Sequence, residues 1–186
     1  MSITADRNAH PELTAMNIPV EDEARAYRAR YVFATTRIAI GWVFLWAFLD
    51  KTFGLGFGTE RADAWINGGS PTFGFLNFAT EGKVFHDFFA GLSGPFADWL
   101  FMIGLLGIGL ALVLGIGMRI AAASGAVMLV LMWAAELRLE NNPFMDDHIV
   151  YALVLVGLAI YGAGRTWGLG RAWEDLPLVQ RFPVLK

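Results

Sequence analysis

Residues 99–118 read WLFMIGLLGIGLALVLGIGM, twenty positions without one charged side chain. A helix rises about 1.5 Å per residue, so about 20 apolar residues cross a hydrocarbon core of about 30 Å. A helix on the surface of a soluble bundle needs a polar stripe, and this stretch has none. Three neighbours repeat the pattern. Tyr31–Leu49 is 19 residues long with a single charge, Arg37. Ile120–Ala135 and Ile149–Gly164 are 16 residues each, bounded by Arg119 and Glu136 and by His148 and Arg165. These two are short, but Trp, Tyr, Arg and His at their ends tolerate the interface, so each extends by a turn. The expected fold is all-α: an integral membrane four-helix bundle.

The composition agrees. Of 186 residues, 56% are hydrophobic and 17% charged, against about 25% charged in soluble domains. Mean hydropathy is +0.50. The absence of cysteine excludes a disulfide scaffold, a CxxC redox centre, thiolate iron–sulfur ligation and covalent c-type haem. A net charge of −3 gives no reason to expect nucleic acid. The first 30 residues hold nine charges and no apolar signal-peptide core. The expected division is a polar tail over 1–29, a membrane domain over 30–175 and a C-terminal tail over 176–186. Within the first segment, residues 1–19 read as disordered. Residues 20–30 read as a solvated lead-in or a short interfacial helix.

Lysine and arginine set the orientation. One side holds nine: Arg7, Arg25, Arg28, Arg30, Arg119, Arg165, Arg171, Arg181 and Lys186. The other holds four, Lys51, Arg61, Lys83 and Arg138, together with most acids near the spans. The expectation is a multi-pass protein of the cell membrane with both termini cytoplasmic. The first loop, residues 50–97, then faces outward. It is too long for a plain connection and too apolar for free solution. Gly68-Gly69-Ser70-Pro71 signals a turn, and Val84, Phe85, Phe88, Phe89 and Leu92 recur at helical spacing. Short amphipathic helices are expected there, either packing on the bundle or forming a lid.

The outward ends of the spans gather the residues that can carry chemistry. Asp50 and Lys51 end the first span, Asp98 begins the second, and Trp133 and Glu136 share a face at the end of the third. Asn142, Asp146, Asp147 and His148 lead into the fourth, where Tyr151 lies one turn further on. Each has a structural alternative: an aspartate caps the helix, tryptophans form an aromatic belt, and Lys51 snorkels. His148 is the sharpest candidate, because imidazole titrates near neutral pH. Arg37 lies about 20 Å from Asp50 along the helix, so it stands apart from this cluster. It reads either as a functional buried charge or as a snorkelling anchor. No pair of histidines has ligand spacing, so no metal site is expected. No haem ligand pair, flavin fingerprint or Walker loop is present.

Several motifs resemble the DoxX/DoxD family of small four-span membrane proteins. They are Arg37-Ile-Ala-Ile-Gly41 leading to Asp50-Lys51, Ala64-Trp65 with Gly68-Gly69-Ser70-Pro71-Thr72-Phe73-Gly74-Phe75-Leu76, and Asp98-Trp99-Leu100-Phe101. Leu114-Gly115-Ile116-Gly117-Met118-Arg119, Asn141-Asn142-Pro143-Phe144-Met145-Asp146-Asp147-His148 and Gly162-Ala163-Gly164-Arg165-Thr166-Trp167-Gly168-Leu169-Gly170 complete the set. The long first loop is more similar to the DoxD branch. That resemblance implies the membrane subunit of a thiosulfate:quinone oxidoreductase, with quinone as co-substrate and tetrathionate as product. Other DoxX-like proteins are membrane partners in oxidative-stress or thiol-redox assemblies. The resemblance therefore implies either an enzyme subunit or a non-catalytic anchor for a redox partner. In the first case His148 would supply protons with Asp147 holding it. Asp50, Lys51, Trp133, Glu136, Asn142 and Tyr151 would surround the quinone. Without cysteine the chain cannot form a persulfide, so a second subunit or direct oxidation must supply the sulfur chemistry. The lipid bilayer and a second subunit are the expected partners, and a homo-oligomer stays open.

Overall fold

The computed structural model describes residues 20–139, 142 and 144–186. The expectations for residues 1–19, and for Asn141 and Pro143 in the third loop, lie outside the described residues. The fold is helical, and its long helices are α1 (Val20–Phe53), α3 (Pro95–Leu114), α4 (Met118–Ala135) and α5 (Asp147–Tyr161). The first three are long and apolar enough to cross a membrane; α5 is apolar but shorter.

The lead-in and the first apolar segment form one helix of 34 residues. No glycine or proline interrupts residues 20–40, and Ala, Arg and Glu there favour helix, so the charged lead-in continues into the span. The other boundaries follow local chemistry. Pro95 occupies the first turn of α3, where its missing N–H costs nothing. The turn into α4 runs through Gly115 at φ 75° and Gly117 at φ 57°, a left-handed conformation that glycine adopts freely. Asp146 caps α5, its Oδ1 accepting from Ile149 N at 3.2 Å.

Consecutive long helices run antiparallel. Arg37 of α1 reaches Leu112 and Val113 of α3, while Lys51 lies over Phe101 near the other end. A Cβ at Gly109 would come within 2.7 Å of Leu45, and one at Gly125 within 2.7 Å of Leu155. Glycine therefore lets α1 meet α3, and α4 meet α5, at close range. Ile40, Phe44, Met102, Leu105, Leu112, Leu129, Leu155 and Leu158 form the buried core. Away from it, Ile103, Leu153 and Ile160 are more than 60% exposed, as expected of surfaces facing lipid rather than water.

Between α1 and α3 the chain makes short 3₁₀ turns at Arg61–Asp63 and Trp65–Asn67, a π-type turn at Gly74–Ala79 and the short helix α2 (His86–Gly91). Leu76 and Phe89 from these pieces pack on Ala134 and Ala135 at the end of α4. After α5, helices α6 (Gly170–Glu174) and α7 (Pro177–Arg181) fold back. Residues 176–186, expected as a tail, are packed: Val179 is fully buried and Trp173 Nε1 donates to Leu185 O at 2.6 Å. Arg119 also donates to this segment, from its N to Lys186 O at 2.8 Å and from Nη1 to Pro183 O at 2.9 Å. Apolar Val179 and the indole of Trp173 gain burial there, which a solvated tail forgoes.

Candidate functional site

The two ends of the helix assembly differ in chemistry. One end is organised by Arg37, which is fully buried. Its Nη1 donates to Leu112 O and to Val113 O, and its Nη2 to Trp167 O at 2.9 Å and Thr166 O at 3.2 Å. The acceptors include carbonyls of the last turn of α3, which no intrahelical N–H can satisfy. Arg37 is therefore an internal clamp between α1, the end of α3 and the segment after α5, and not a snorkelling anchor. On the same side Arg165 forks onto Glu174 at 2.7 Å, and this guanidinium holds the Glu174 carboxyl below its ordinary range.

Three aspartates dominate the other end, and each holds chain. Asp50 is buried and accepts from Gly58 N at 2.9 Å and Phe57 N at 3.3 Å. Asp98 Oδ1 accepts from Thr72 Oγ1 at 2.6 Å, Ser70 Oγ at 2.8 Å and Thr72 N at 3.0 Å. Trp99 beside it meets Trp65 edge-on at 4.6 Å. Asp146 caps α5 and binds His148.

Between α3 and α4 lies a cavity of about 590 Å³. Phe75 and Leu76 of the π-type turn and Phe89 of α2 roof it, and Phe101, Gly104 and Met128 line its walls. Leu100, Val127 and Leu131 also line it and are each more than half exposed, so it opens sideways between the two helices. Its lining is nearly all carbon. The Thr72 hydroxyl is committed to Asp98, and Ser124 Oγ donates back to Ile120 O at 2.8 Å. Lys51 supplies the one charged group of the lining, 6.0 Å from the centre of the Phe101 ring. Its ammonium finds no hydrogen bond or ion pair among the described residues, because the neighbouring Asp50 is turned to the loop amides.

A second group sits at the same end between α4 and α5. His148 Nδ1 lies 2.8 Å from Asp146 Oδ2 and 3.7 Å from Asp147 Oδ1. Asp146 is therefore the partner, not Asp147, whose side chain is 71% exposed. Glu136 joins them: donor atoms of Glu136, Asp146 and His148 all lie within 4.8 Å of one another. Trp133 Nε1 donates to Phe144 O at 2.8 Å, and Asn142 Oδ1 accepts from Met145 N at 2.9 Å. Both shape the third loop. Tyr151 packs half-buried against the core.

The residues expected at one polar pocket thus divide into two places. Lys51 faces the cavity; Glu136 and His148 meet beside α5. Among the described residues no hydrogen bond or ion pair joins Asp50 or Lys51 to Asp147 or His148. One feature escaped the sequence. The cavity depends on how α3 and α4 splay, which periodicity does not encode. The gathering of Glu136 with His148 at one end was legible from the spans; that Asp146 completes the group with them, apart from Asp50 and Lys51, depends on how α4 packs on α5. Compared with known proteins, the chain matches no family model, no curated protein and no solved structure.

Proposed function

We propose that the chain is the quinone-binding membrane subunit of a quinone-linked oxidoreductase. In this reading α1, α3, α4 and α5 are four spans of a cell-membrane protein with both termini in the cytoplasm. The observation that carries it is the cavity: apolar, open toward lipid, and fitted with a single unpartnered ammonium. Such a lining suits a ligand with an apolar body and an acceptor head. A quinone meets both demands. Its ring would lie between Phe75 and Phe101, its isoprenoid chain would leave between α3 and α4, and a ring carbonyl would accept from Lys51. Neither hydroxyl on the wall is free to compete for that oxygen.

Reducing a quinone to quinol takes two electrons and two protons. The chain has no cysteine, and its motifs supply no haem or flavin. The electrons therefore come from outside, with thiosulfate as the donor suggested by the resemblance and a second subunit to deliver them. The cavity lining leaves His148 out, so a proton-donor role for His148 is not carried into this reading.

Quinone content of the purified protein, followed by titration with a short-chain quinone in nanodiscs, tests the proposal. A tightly held quinone or saturable binding is expected. Lys51→Met removes a charge-assisted hydrogen bond and should weaken binding about tenfold to a hundredfold. Gly104→Phe places a ring where even a Cβ overlaps Met128 Cε, and should abolish binding. No quinone and no saturable binding in the parent protein would overturn the proposal and leave the anchor for a redox partner.

A further inference from the structure

We propose that Glu136, Asp146 and His148 form a binding site for a divalent first-row metal ion such as manganese or zinc. The site lies outside the cavity assigned to quinone, and none of its three residues lines that cavity. It is built by two elements. Glu136 stands at the end of α4, while Asp146 and His148 stand at the start of α5. The close packing of α4 on α5 brings them together.

The donor set is chemically specific. One imidazole and two carboxylates make a mixed nitrogen and oxygen set, which suits zinc, manganese or iron and not copper(I). The geometry is near that of a chelate. Ligands with bonds of about 2.1 Å to one ion sit about 3 Å apart when adjacent in an octahedron. Asp146 Oδ2 and His148 Nδ1 are 2.8 Å apart, and all three donor atoms fall within 4.8 Å. A rotation of the Glu136 side chain closes the remaining gap. Shielding is also right: the side chains of His148 and Asp146 are only 16% and 14% exposed, so an ion there would be held out of bulk water.

Charge gives an independent reason. Two carboxylates converge on one imidazole, and no lysine or arginine forms an ion pair with either among the described residues. Asp146 keeps one oxygen on the α5 amide and turns the other to the cluster. Glu136 makes no hydrogen bond through its side chain among the described residues. A divalent cation placed among the two carboxylates and the imidazole would be attracted to both carboxylates at once. Bound there, the ion would tie the end of α4 to the start of α5, fixing the hairpin whose loop Trp133 and Asn142 already shape.

The test uses tag-free full-length protein, stripped with a chelator and titrated with manganese and with zinc alone. Manganese is followed by electron paramagnetic resonance, zinc by calorimetry. One ion per chain is expected, with an increase in Tm on loading. Glu136→Gln keeps the size of the side chain and should weaken binding at least tenfold; His148→Ala should do the same. Asp147→Asn, beside the cluster but exposed, should change affinity less than about twofold, which separates a built site from a general acidic surface. No saturable binding, or Glu136→Gln binding as tightly as the parent, would overturn the proposal and leave His148 as the ion-pair partner of Asp146. The readouts are metal stoichiometry and affinity, so they stand or fall apart from quinone binding.

Discussion

A guanidinium inside an apolar helix must give its N–H groups acceptors or desolvate them at high cost. Arg37 finds four backbone carbonyls, 75 and 76 positions away along the chain in α3 and 129 and 130 away beyond α5. The sequence shows the anomaly, a single charge in a 19-residue apolar stretch. It cannot show the acceptors, because two lie at the end of α3 and two in the segment after α5, and they meet Arg37 only in the finished packing. Gly164 and Gly168 are part of that path: a Cβ at Gly168 would come within 3.1 Å of Arg37 Nη2. Arg37→Met removes the planar fork and leaves several carbonyls without donors, each worth about 1 kcal/mol or more. It should lower stability by about 3 kcal/mol or more, read as a large fall in Tm in detergent. Arg37→Lys should recover only part of this, because one ammonium cannot span acceptors on two segments. An unchanged Tm in Arg37→Met would show that the clamp is not needed.

At the scale of elements, the informative case is the first loop. Its aromatic content already argues against free solution, and the sequence leaves packing and lid as alternatives. The structure joins them: the π-type turn and α2 pack on the end of α4 and roof the cavity. The fixing point is Asp98, which the sequence marks only as one carboxylate among several. It holds Ser70 and Thr72, the end of the glycine-rich turn, and so sets where Phe75 and Leu76 fall. Asp98→Ala removes the acceptor of all three hydrogen bonds while leaving α3 its Pro95 start. Amide hydrogen exchange over residues 70–79 should then accelerate by about tenfold or more, with little change in α4 and α5. Quinone should also be held less tightly, since the roof no longer closes over it. Protection unchanged across 70–79 would mean that the aromatic packing of Leu76 and Phe89 suffices without the carboxylate. Legibility thus follows range. The cap at Asp146 is local and readable; the glycine turn that ends α3 at Leu114, inside the apolar stretch read as one span to Met118, is not, and neither is the roof, a long-range contact.

For the whole molecule, length and charge together decide topology. At about 1.5 Å per residue, the 34 residues of α1 exceed a hydrocarbon core of about 30 Å, so its charged first turns project beyond it. The 15 residues of α5 give only about 22 Å. Yet α5 packs along the length of α4, from Asp146 beside Glu136 to Leu155 against Gly125, and the 3₁₀ turn Ala163–Arg165 continues it toward Arg165. The described basic residues Arg25, Arg28, Arg30, Arg119, Arg165 and Arg171 all lie toward the Arg37 end, the asymmetry on which the proposed cytoplasmic placement of that end rests. If α5 crosses, Lys186 and Gly68 lie on opposite sides of the membrane. If α5 only lies at the interface, three crossings remain and the two positions share a side. Reporter fusions at Lys186 and at Gly68 should therefore report opposite compartments, with Lys186 cytoplasmic. The same compartment for both would remove α5 as a span.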